Sequence, residues 1–346
     1  MMMKRNNLDP LKTSSYDYNL PKELIATHPV EPADSAKLLV YDRATDSITH
    51  TTYKNLLDFI PKDTSIFLND TKVIKARIFG TKISGGKIEL LLNKPMPDNQ
   101  YLALIRGKVK VDTKLIFPNN LYAIVKSMND DGSRIVEFYI EDRQIEFLEL
   151  VNLLNDIGHI PLPPYMNRED EDSDDLHYQT LFAKNYGAVA APTASLHFTP
   201  ELLADMKKQH EVDYLTLHVG AGTFKPVEAE DILAHPMHSE YFEIKDSTKN
   251  KINSAKKVLA VGTTVTRTLE YYKRTNKSSG ECDLFLNPSN TPLIVDHLLT
   301  NFHLPKSTLI MLIASFVGLE KTLEIYECAI ENRYRFYSYG DGMLIL

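Results

Sequence analysis

The stretch VLAVGTT, residues 258–264, joins a short apolar run to a glycine turn followed by two threonines. Such a run predicts a buried strand over Val258–Val261, and Gly262 marks the turn that ends it. The residues that follow, Val265–Arg274, have the pattern of a helix. A buried strand that turns directly into a helix is the repeating unit of α/β sheets.

Two other segments share this layout. A strand over Ala188–Ala191 leads through a polar loop to a helix over Pro200–His210, which begins with proline, a favoured first helical residue. A strand over Tyr214–Val219 ends in a glycine turn, and a short helix over Glu228–Leu233 is predicted after it. A further strand is predicted over Leu284–Leu286. Strands that alternate with helices predict an α/β domain with a mostly parallel sheet.

The region from Asp63 to Leu150 has a different pattern, in which short strands are separated by turn residues. No helix-length amphipathic stretch occurs there before Asp142–Leu154. The predicted strands are Ser65–Leu68, Ala76–Thr81, Lys87–Leu92, Tyr101–Arg106, Leu121–Ser127 and Ile135–Ile140. Strands without crossover helices favour a small antiparallel β-barrel. We therefore predict an α/β domain formed by residues 1–62 and 151–346, with a β-barrel inserted at residues 63–150.

The loops after the predicted α/β strands all leave the carboxyl ends of those strands. In open α/β sheets this edge binds ligands, and helix N-termini there supply free N–H donors. His197 and His218 lie on or beside these loops. We expect histidine chemistry at this edge, and the alternative for each residue is a structural histidine with satisfied hydrogen bonds.

The segment HPMHSE, residues 235–240, contains two histidines three positions apart and a glutamate. Zinc binding is one interpretation. Pro236 disfavours a regular helical pair, however, and no third ligand has the spacing of a zinc site. We therefore predict no metal site and favour a general acid or base role for His238 or Glu240.

Two C-terminal segments, residues 301–308 and 334–341, place aromatic residues near Lys306 and Arg335. Aromatic rings beside cationic side chains suit stacking on a nucleobase. Ordinary packing of a terminal strand is the alternative.

The composition of the chain is that of a globular protein. It has 346 residues, of which 43% are hydrophobic and 25% charged, and this length suits one large and one smaller domain. Cys282 and Cys328 are the only cysteines, so a reducing compartment fits better than a disulfide framework. No secretory signal is recognisable, and the apolar run 307–318 is shorter than the roughly 20 residues that span a bilayer. We expect a soluble, cytoplasmic protein that does not enter the membrane.

The predicted barrel is basic although the chain is acidic. Residues 72–114 contain ten lysines and arginines against three acidic residues, a formal charge of +7 in a chain whose total is −7. A basic insertion in an acidic host is the footprint of a surface that contacts phosphates. Scattered surface lysines are the alternative. Lys108 and Lys110 would share one face of a regular strand.

Many longer motifs occur in a fixed order between Tyr16 and the C-terminus. They are YDY with LP at 16–21, IATHP at 25–29, DSAKLL at 34–39, NDTKVI at 69–74, SGGK at 84–87, GHIPLPPY at 158–165, the three strand-end loops, MHSE at 237–240, LTNFHLPKST at 299–308 and residues 334–341. With these motifs the chain closely resembles the S-adenosylmethionine:tRNA ribosyltransferase-isomerase family of the queuosine pathway. It departs from the family pattern at Ser195, at residues 265–266 and around 287–290.

The resemblance implies an α/β domain with an inserted β-barrel and a defined reaction. The ribosyl unit of S-adenosylmethionine is transferred to the 7-aminomethyl group of 7-deazaguanine at the wobble position of tRNA. Isomerisation gives the epoxycyclopentanediol of epoxyqueuosine, and adenine and methionine leave. The resemblance further implies that S-adenosylmethionine is a substrate, that no cofactor is permanently bound, that tRNA is the partner and that the protein is a monomer.

This reaction needs a base for the C5′ hydrogens that the sulfonium acidifies, and a proton donor for the departing adenine. Histidine titrates in the range where both are feasible. We expect the acid/base group among His197, His218 and His238, with Glu240 or Asp341 orienting it. The residues expected to bind S-adenosylmethionine or the base are Thr193, Gly220, Gly222, Thr223, Phe224, Gly262, Thr263, Thr264, Arg267, Asn301, His303 and Arg335. The residues expected to bind tRNA are Lys72, Arg77, Lys87, Arg106, Lys108, Lys110 and Lys306.

Two other functions fit parts of the sequence. An S-adenosylmethionine-dependent RNA methyltransferase would use the same small molecule but needs no base at C5′. A non-catalytic RNA-binding barrel attached to a degenerate α/β domain is the other, and the histidine-bearing loops argue against it. The products formed from S-adenosylmethionine distinguish the three interpretations.

Overall fold

The computed structural model describes residues 8–220, 222 and 227–346. The strands in this part of the chain are β1 Lys37–Asp42, β2 Ser47–Thr52, β3 Thr64–Asn69, β4 Thr71–Val73, β5 Arg77–Lys82, β6 Lys87–Met96, β7 Gln100–Arg106, β8 Lys114–Ile116, β9 Leu121–Met128, β10 Arg134–Ile140, β11 Arg143–Gln144, β12 Asn185–Ala188, β13 Val212–Leu217, β14 Glu240–Glu243, β15 Lys257–Val261, β16 Ser279–Cys282, β17 His297–Asn301 and β18 Gly342–Ile345. The helices are α1 Phe147–Ile157, α2 Asp174–His177, α3 Pro200–Gln209, α4 Asp246–Ser254, α5 Thr263–Thr275, α6 Thr308–Val317 and α7 Leu319–Glu331.

The larger sheet contains nine of these described strands, in the order β16-β14-β13-β3-β15-β17-β18-β1-β2. Strands β13, β3, β15 and β17 are parallel to one another, and β18 is parallel to β1. The remaining neighbours pair antiparallel. The α/β fold with an inserted barrel is confirmed, and its main sheet is mixed.

The central strands of the main sheet are buried on both faces, which explains their apolar runs. In β3, Ile66 and Leu68 pack with Leu202 of α3, whereas Phe67 packs on the opposite face with Leu269 of α5. We predicted that Ser65–Leu68 forms a strand of the barrel. This assignment was wrong, because the strand belongs to the main sheet. Alternate residues of this strand pack in two different hydrophobic cores, so the strand needs helices on both faces of its sheet. A barrel strand does not have helices on both faces.

The second sheet closes into a small antiparallel barrel. Its strands follow the order β10-β7-β6-β5-β8-β9, and β9 pairs with β10 to complete the circle, while β11 extends β10 at the edge. Alternate residues of β6, namely Ile88, Leu90 and Leu92, point into the barrel core. Helix α1 packs against the same core through Leu150 and Leu154. The domain limits at residues 63 and 150 stay a prediction. Strand β3 begins just after the first limit but pairs in the main sheet, and helix α1 extends across the second limit.

Two of the predicted helices, α3 and α5, are confirmed to within two residues. Helix α1 begins at Phe147 instead of residue 142, because Arg143–Gln144 pairs with β10. The helix predicted over Glu228–Leu233 was wrong, since only a single 3₁₀ turn forms there, at Ile232–Ala234. None of the described helices is long and apolar enough to cross a membrane.

Two predicted strands, Ala188–Ala191 and Leu284–Leu286, do not form at those positions. The run Ala188–Ala191 begins where β12 ends, and β12 pairs with β4 in a separate two-stranded sheet. The N–H groups of Val189 and Ala190 instead donate to the carbonyl oxygen of Val219. Residues 284–286 are irregular, because Leu284 O accepts from the side chain of Arg267 at 3.0 Å rather than from a neighbouring strand.

Strand direction brings several loops to one edge of the main sheet. The parallel strands β13, β3, β15 and β17 all end there, and the antiparallel strands β14 and β18 begin there. This is the edge at which open α/β sheets bind ligands.

A candidate active site between the barrel and the sheet edge

A cleft of about 750 Å³ lies between the barrel and the carboxyl edge of the main sheet. The barrel contributes residues 93–97 at the end of β6, and the sheet edge contributes His218, Gly220 and Glu240. Lys94 Nζ lies 3.1 Å from Glu281 Oε2, so an ion pair connects the two sides. A volume of several hundred Å³ is typical of sites for nucleotide-sized ligands.

His218 follows β13 and lines this cleft. Its Nδ1 is 2.8 Å from Thr71 Oγ1, and its ring stacks on Tyr241 with the centroids 6.0 Å apart. Gly187 lies against one face of the His218 ring, where an added Cβ would come within 2.8–2.9 Å of Cδ2, Nε2 and Cε1. Burial lowers the pKa of His218, and the charge of Asp70 opposes this shift. The imidazole is therefore neutral at pH 7.

Three successive side chains, beginning with the last residue of β3, hold residues 216–218 at the end of β13. Asn69 Oδ1 accepts from the N–H of Leu217 at 3.0 Å, and Asn69 Nδ2 donates to Leu217 O at 2.9 Å. Asp70 Oδ1 accepts from Thr216 Oγ1 at 2.6 Å. With the contact between Thr71 and the histidine, these bonds fix the strand end that carries the imidazole.

Glu240 and Arg267 form a buried ion pair in the wall of the cleft. Glu240 Oε2 is 2.5 Å from Arg267 Nη1, and Glu240 Oε1 accepts from the N–H of Gly220 at 3.0 Å. Arg267 also donates to the carbonyl oxygens of His238 and Cys282. The pair therefore fixes the backbone of two loops and of the last residue of β16. His238 itself is exposed on the rim of the cleft.

A second cavity of about 80 Å³ lies at the N-terminus of α5 and the end of β17. The predicted binding residues that line it are Thr193, Gly262, Thr263, Thr264, Asn301 and His303. Thr193 Oγ1 donates to Asn301 Oδ1 at 2.8 Å. Gly262 precedes α5 with φ 97° and supplies no side-chain cap, so the first N–H groups of this helix lack one.

Residues 218–220 separate the cleft from this second cavity. His218 and Gly220 line the cleft, whereas Val219 lines the second cavity, as expected for alternating residues of an extended chain. A third cavity of about 20 Å³ is lined by Glu240, which also lines the cleft, and by Leu309, which also lines the second cavity. Gly222 and Arg267 belong to this third space. The three cavities therefore adjoin along one rim.

Two other histidines of this region are enclosed. The ring centroid of His197 is 4.4 Å from that of Tyr53, and His197 lines none of the three cavities. Burial, opposed in part by a hydrogen bond with the backbone of Gly340, lowers the pKa of His197 to about 4. His303 lines the second cavity with its Nε2 3.0 Å from Thr300 Oγ1, and burial lowers its pKa to about 3.

Asp341 and Arg335 hold the C-terminal segment and line none of the three cavities. The two carboxylate oxygens of Asp341 accept from the N–H groups of Lys37 at 2.9 Å and Arg335 at 2.7 Å. Burial raises the pKa of Asp341. The guanidinium of Arg335 donates to the carbonyl oxygens of His28 and Tyr339. Both side chains are thus used in contacts within the protein.

The aromatic residues of the same segment are mostly packed in the core. Tyr334, Phe336 and Tyr339 have at most 2% of their surface exposed. Tyr337 is the exception, because it lines the second cavity. Ordinary packing, rather than stacking on a base, accounts for the three buried rings.

Three of the residues predicted to bind tRNA have partners within 3.1 Å, and Arg106 Nη1 lies 3.9 Å from Glu89 Oε2. Lys72 Nζ lies 3.0 Å from the hydroxyl of Tyr186, and Arg77 pairs with two glutamates. Lys306 Nζ lies 2.6 Å from Asp17 Oδ2. Binding of a phosphate by these side chains would require these pairs to open.

The other four lie at the end of the barrel that faces away from the cleft, and we call them the barrel tip. Its members are Lys87, Arg106, Lys108 and Lys110, all exposed. Lys87 begins β6, whose far end lines the cleft, so roughly 24 Å of strand separates the tip from the cleft. Lys108 and Lys110 lie in the loop after β7 rather than on a strand. Val109 is buried between them, which directs both lysines outward.

Sequence reasoning missed the side chains that support His218. Asn69, Asp70 and Thr71 follow a buried strand, and the rule that placed the other loops at the sheet edge would have found them if β3 had been assigned to the main sheet. Gly187 gave no signal of its own. Thr223 and Phe224, predicted to bind substrate, lie outside the described residues. No group of three side chains able to hold a metal ion occurs in the described part of the chain.

The fold places an α/β domain and an inserted β-barrel on the two sides of the cleft, which is an arrangement of the enzyme type. The sequence profile of the queuosine biosynthesis protein family matches residues 13–345, and the chain belongs to this family.

Similar proteins agree with this assignment. The S-adenosylmethionine:tRNA ribosyltransferase-isomerase of Aliarcobacter butzleri is 71% identical over 98% of this chain and all of its own length. The protein of the same name from Nitratiruptor sp. is 63% identical over the same shares. The crystal structure of an S-adenosylmethionine tRNA ribosyltransferase from Thermotoga maritima is 32% identical, with a TM-score of 0.55 over 96% of this chain and all of that one.

Proposed function

We propose that this protein transfers the ribosyl unit of S-adenosylmethionine to the 7-aminomethyl-7-deazaguanine at the wobble position of tRNA and isomerises it to the epoxyqueuosine product, with release of adenine and methionine. The observation that carries the proposal is the neutral His218 on the wall of a nucleotide-sized cleft between the sheet edge and the barrel. The names of the relatives support the choice of substrates.

His218 is the proposed acid/base group. Because its pKa is lowered, its imidazole has a free lone pair at neutral pH. It takes a proton from C5′, where the adjacent sulfonium stabilises the carbanion, and becomes an imidazolium. The imidazolium then gives this proton to the departing adenine. One proton moves from carbon to adenine, and the imidazole returns to its starting state.

Other residues of the cleft have supporting roles in this proposal. Glu240 orients the N–H of Gly220 and keeps Arg267 in place. His238, exposed on the rim, is the second candidate for proton transfer and lies where the attacking amine could lose its proton to it or to solvent. His197 and Asp341 act structurally, because their contacts are within the protein.

The cleft and the second cavity divide the binding of substrates. The cleft has room for the target nucleotide together with the nucleoside of S-adenosylmethionine. The second cavity, at about 80 Å³, accepts only a small group. Thr193, Thr263 and Asn301 are the proposed polar contacts of that group.

The barrel tip is the proposed site for the phosphate backbone of the tRNA. Its lysines and arginine are exposed, and the closed sheet holds them at a fixed distance from the cleft. Exposed basic side chains that contact phosphates release counterions, which makes binding depend on salt. The tip therefore positions the RNA, and the cleft selects the base.

The products formed from S-adenosylmethionine test the proposal. The protein is mixed with S-adenosylmethionine and with tRNA that carries 7-aminomethyl-7-deazaguanine, and the small molecules are separated by chromatography. We expect free adenine and methionine in equal amounts, and none with control tRNA that carries guanine. Formation of S-adenosylhomocysteine would instead indicate a methyltransferase. Binding of tRNA without any product would indicate a non-catalytic module.

We further propose that the protein acts in the cytoplasm as a monomer and holds no permanent cofactor. Light scattering of the purified protein, alone and with tRNA, gives the number of subunits. A mass of two chains at micromolar concentration would contradict the monomer.

A further inference from the structure

We infer that the second cavity binds the carboxylate of the methionine part of S-adenosylmethionine, through the N–H groups that begin α5 and the hydroxyl of Tyr178. The inference rests on the proposed function, because it names the small group that this cavity accepts. It concerns how the ribosyl donor is held and adds no step to the chemistry at C5′.

The first turn of α5 leaves its N–H groups without acceptors. No described residue accepts a hydrogen bond from the N–H of Thr263 or Thr264, both of which line the cavity. The first bond within the helix runs from the N–H of Thr266 to Gly262 O at 3.2 Å. A serine, threonine or aspartate before a helix usually supplies an acceptor for these groups. Gly262 stands there with φ 97°, which favours glycine, and the first turn has no acidic residue. The helix end is therefore open to an anion.

Tyr178 gives a second, independent indication of a ligand. It lines the same cavity, none of its surface is exposed, and its hydroxyl has no hydrogen-bond partner among the described residues. Burial raises the pKa of Tyr178, and the nearby Ser338 side chain and Ala191 backbone oppose this shift. Both of these residues line the cavity, so the hydroxyl end of the ring lies at its wall. A buried O–H without an acceptor is costly, and a bound carboxylate oxygen removes this cost.

The walls of the second cavity carry no charge that would compete with a carboxylate. The described lining contains no aspartate, glutamate, lysine or arginine, and burial lowers the pKa of His303 to about 3, so its ring is neutral at pH 7. The partial positive charge of the helix N-terminus therefore dominates this space. It attracts a carboxylate and repels an ammonium or sulfonium group.

The second cavity lies within reach of the methionine part when C5′ is beside His218. Val219 lines the cavity, and its neighbours His218 and Gly220 line the cleft. Asn69, at the end of β3, reaches Thr264 Oγ1 at 3.4 Å and so connects this corner to α5. In S-adenosylmethionine only a short flexible chain separates the carboxylate from the sulfonium. A phosphate of tRNA is the other available anion, but its ester links on both sides need more room than about 80 Å³.

The test uses decarboxylated S-adenosylmethionine, a ligand that lacks only the carboxylate. Calorimetry measures its binding to the full-length protein in the presence of tRNA that carries guanine, which has no aminomethyl group to react. We expect the wild-type protein to bind this ligand about ten- to a hundredfold more weakly than S-adenosylmethionine, because hydrogen bonds to a charged group are lost. Equal affinities for the two ligands would overturn the inference.

Tyr178→Phe tests the hydroxyl, with Tyr101→Phe as the matched control. Tyr101 is also fully buried with an unpartnered hydroxyl among the described residues, but it lies in the barrel core and lines none of the three cavities. Tyr178→Phe should weaken binding of S-adenosylmethionine by about tenfold and leave the decarboxylated ligand unchanged. Tyr101→Phe should change neither affinity.

Two results with Tyr178→Phe would contradict the inference. An equal loss for both ligands would mean that the hydroxyl does not act on the carboxylate. Weaker binding of tRNA, with the affinity for S-adenosylmethionine kept, would assign the anion to a phosphate of the RNA.

Thr263→Pro and Thr263→Ala separate the backbone N–H from the side chain. Thr263 is the first residue of α5, where proline is favoured, and proline removes its N–H. Thr263→Pro should bind S-adenosylmethionine about tenfold more weakly than Thr263→Ala, with no such difference for the decarboxylated ligand. Equal affinities of the two variants would show that this N–H holds no carboxylate. If proline prevents folding, the comparison of Tyr178→Phe with Tyr101→Phe decides the question.

These binding measurements require no turnover, so the inference and the proposed function can fail separately. A protein that prefers S-adenosylmethionine to the decarboxylated ligand but releases no adenine would contradict the proposed function and keep the inference. Release of adenine by a protein that binds both ligands equally would do the reverse. A wild-type protein that binds neither ligand would overturn both.

Discussion

The histidines near the sheet edge fall into two regions that differ in what their side chains contact. On the cleft side, His218 contacts Thr71 through Nδ1 and lines the cleft with the rest of its ring. On the side of the C-terminal segment, His197 packs on Tyr53 away from every cavity described above. Strand direction brings a residue to the edge, but chemistry additionally requires a group with one side open to a ligand.

Replacement of each histidine by glutamine tests this difference most strongly. His218→Gln should lower the rate of adenine release by about 10²–10⁴-fold, the usual contribution of a general acid or base, while the melting temperature changes little. His197→Gln should lower stability but leave the rate of the folded enzyme within a few-fold. Single-turnover adenine release and thermal unfolding, measured on both variants, give the four values. Equal loss of rate in both would remove the distinction between the regions.

The buried ion pair in the cleft wall provides the next largest effect. Glu240→Gln leaves Arg267 charged without its carboxylate in a site where both side chains are less than a tenth exposed, and breaking a buried pair costs about 3–5 kcal/mol. The matched control is Glu281→Gln, which breaks the exposed pair with Lys94 and should cost less than about 1 kcal/mol. Urea unfolding measures both. A similar small loss for the two variants would mean that the cleft wall does not depend on the buried pair.

Much of the fold could be predicted from the sequence because its signals are local. The apolar run and glycine turn at residues 258–264 gave both β15 and α5 within one or two residues. The sheet to which β3 belongs could not be read in this way, since a buried strand looks alike in a barrel and in an α/β sheet. Only the packing of Phe67 against one helix layer and Ile66 against the other reveals its place.

The sequence predicted which residues reach the candidate site, but not their burial or their hydrogen-bond partners. The strand-end rule selected His218 and Gly262 together with His197, because each follows a predicted strand, and the segment HPMHSE added Glu240. Burial and hydrogen-bond partners separate these residues, and both arise from contacts between segments far apart in the chain. The bond between His218 and Thr71 joins residues 147 positions apart, and no local pattern contains it.

The enclosed histidine should contribute to stability in acid. The pKa of His197 is about 4 in the folded protein and near 6.5 in the unfolded chain. Between these values the unfolded state binds more protons, so stability should fall as the pH drops from 6.5 to 4, by roughly 3 kcal/mol. Above pH 6.5 this residue should have no pH effect. Urea unfolding across this range should give a flatter curve for His197→Gln, and parallel curves would show that His197 is not enclosed in solution.

The smallest expected effect separates free from paired cations on the tRNA side. Lys108 and Lys110 are exposed and have no ion pair among the described residues, whereas Lys306 is held by Asp17. Lys108→Glu with Lys110→Glu should weaken tRNA binding by about tenfold and reduce the slope of log K against log salt by about 2.

The control for this pair is an equal change of charge on α3, Lys207→Glu with Lys208→Glu, which alters the net charge identically. Its effect on binding should be small, because the salt slope counts cations that meet phosphates and not the charge of the whole protein. If both double variants weaken binding equally, attraction is a property of the total charge and the barrel tip has no special part in it. If Lys306→Glu alone weakens tRNA binding more than the Lys108→Glu, Lys110→Glu variant does, the ion pair between Lys306 and Asp17 opens when RNA binds. Cations that are paired in the free protein then also belong to the RNA-binding surface.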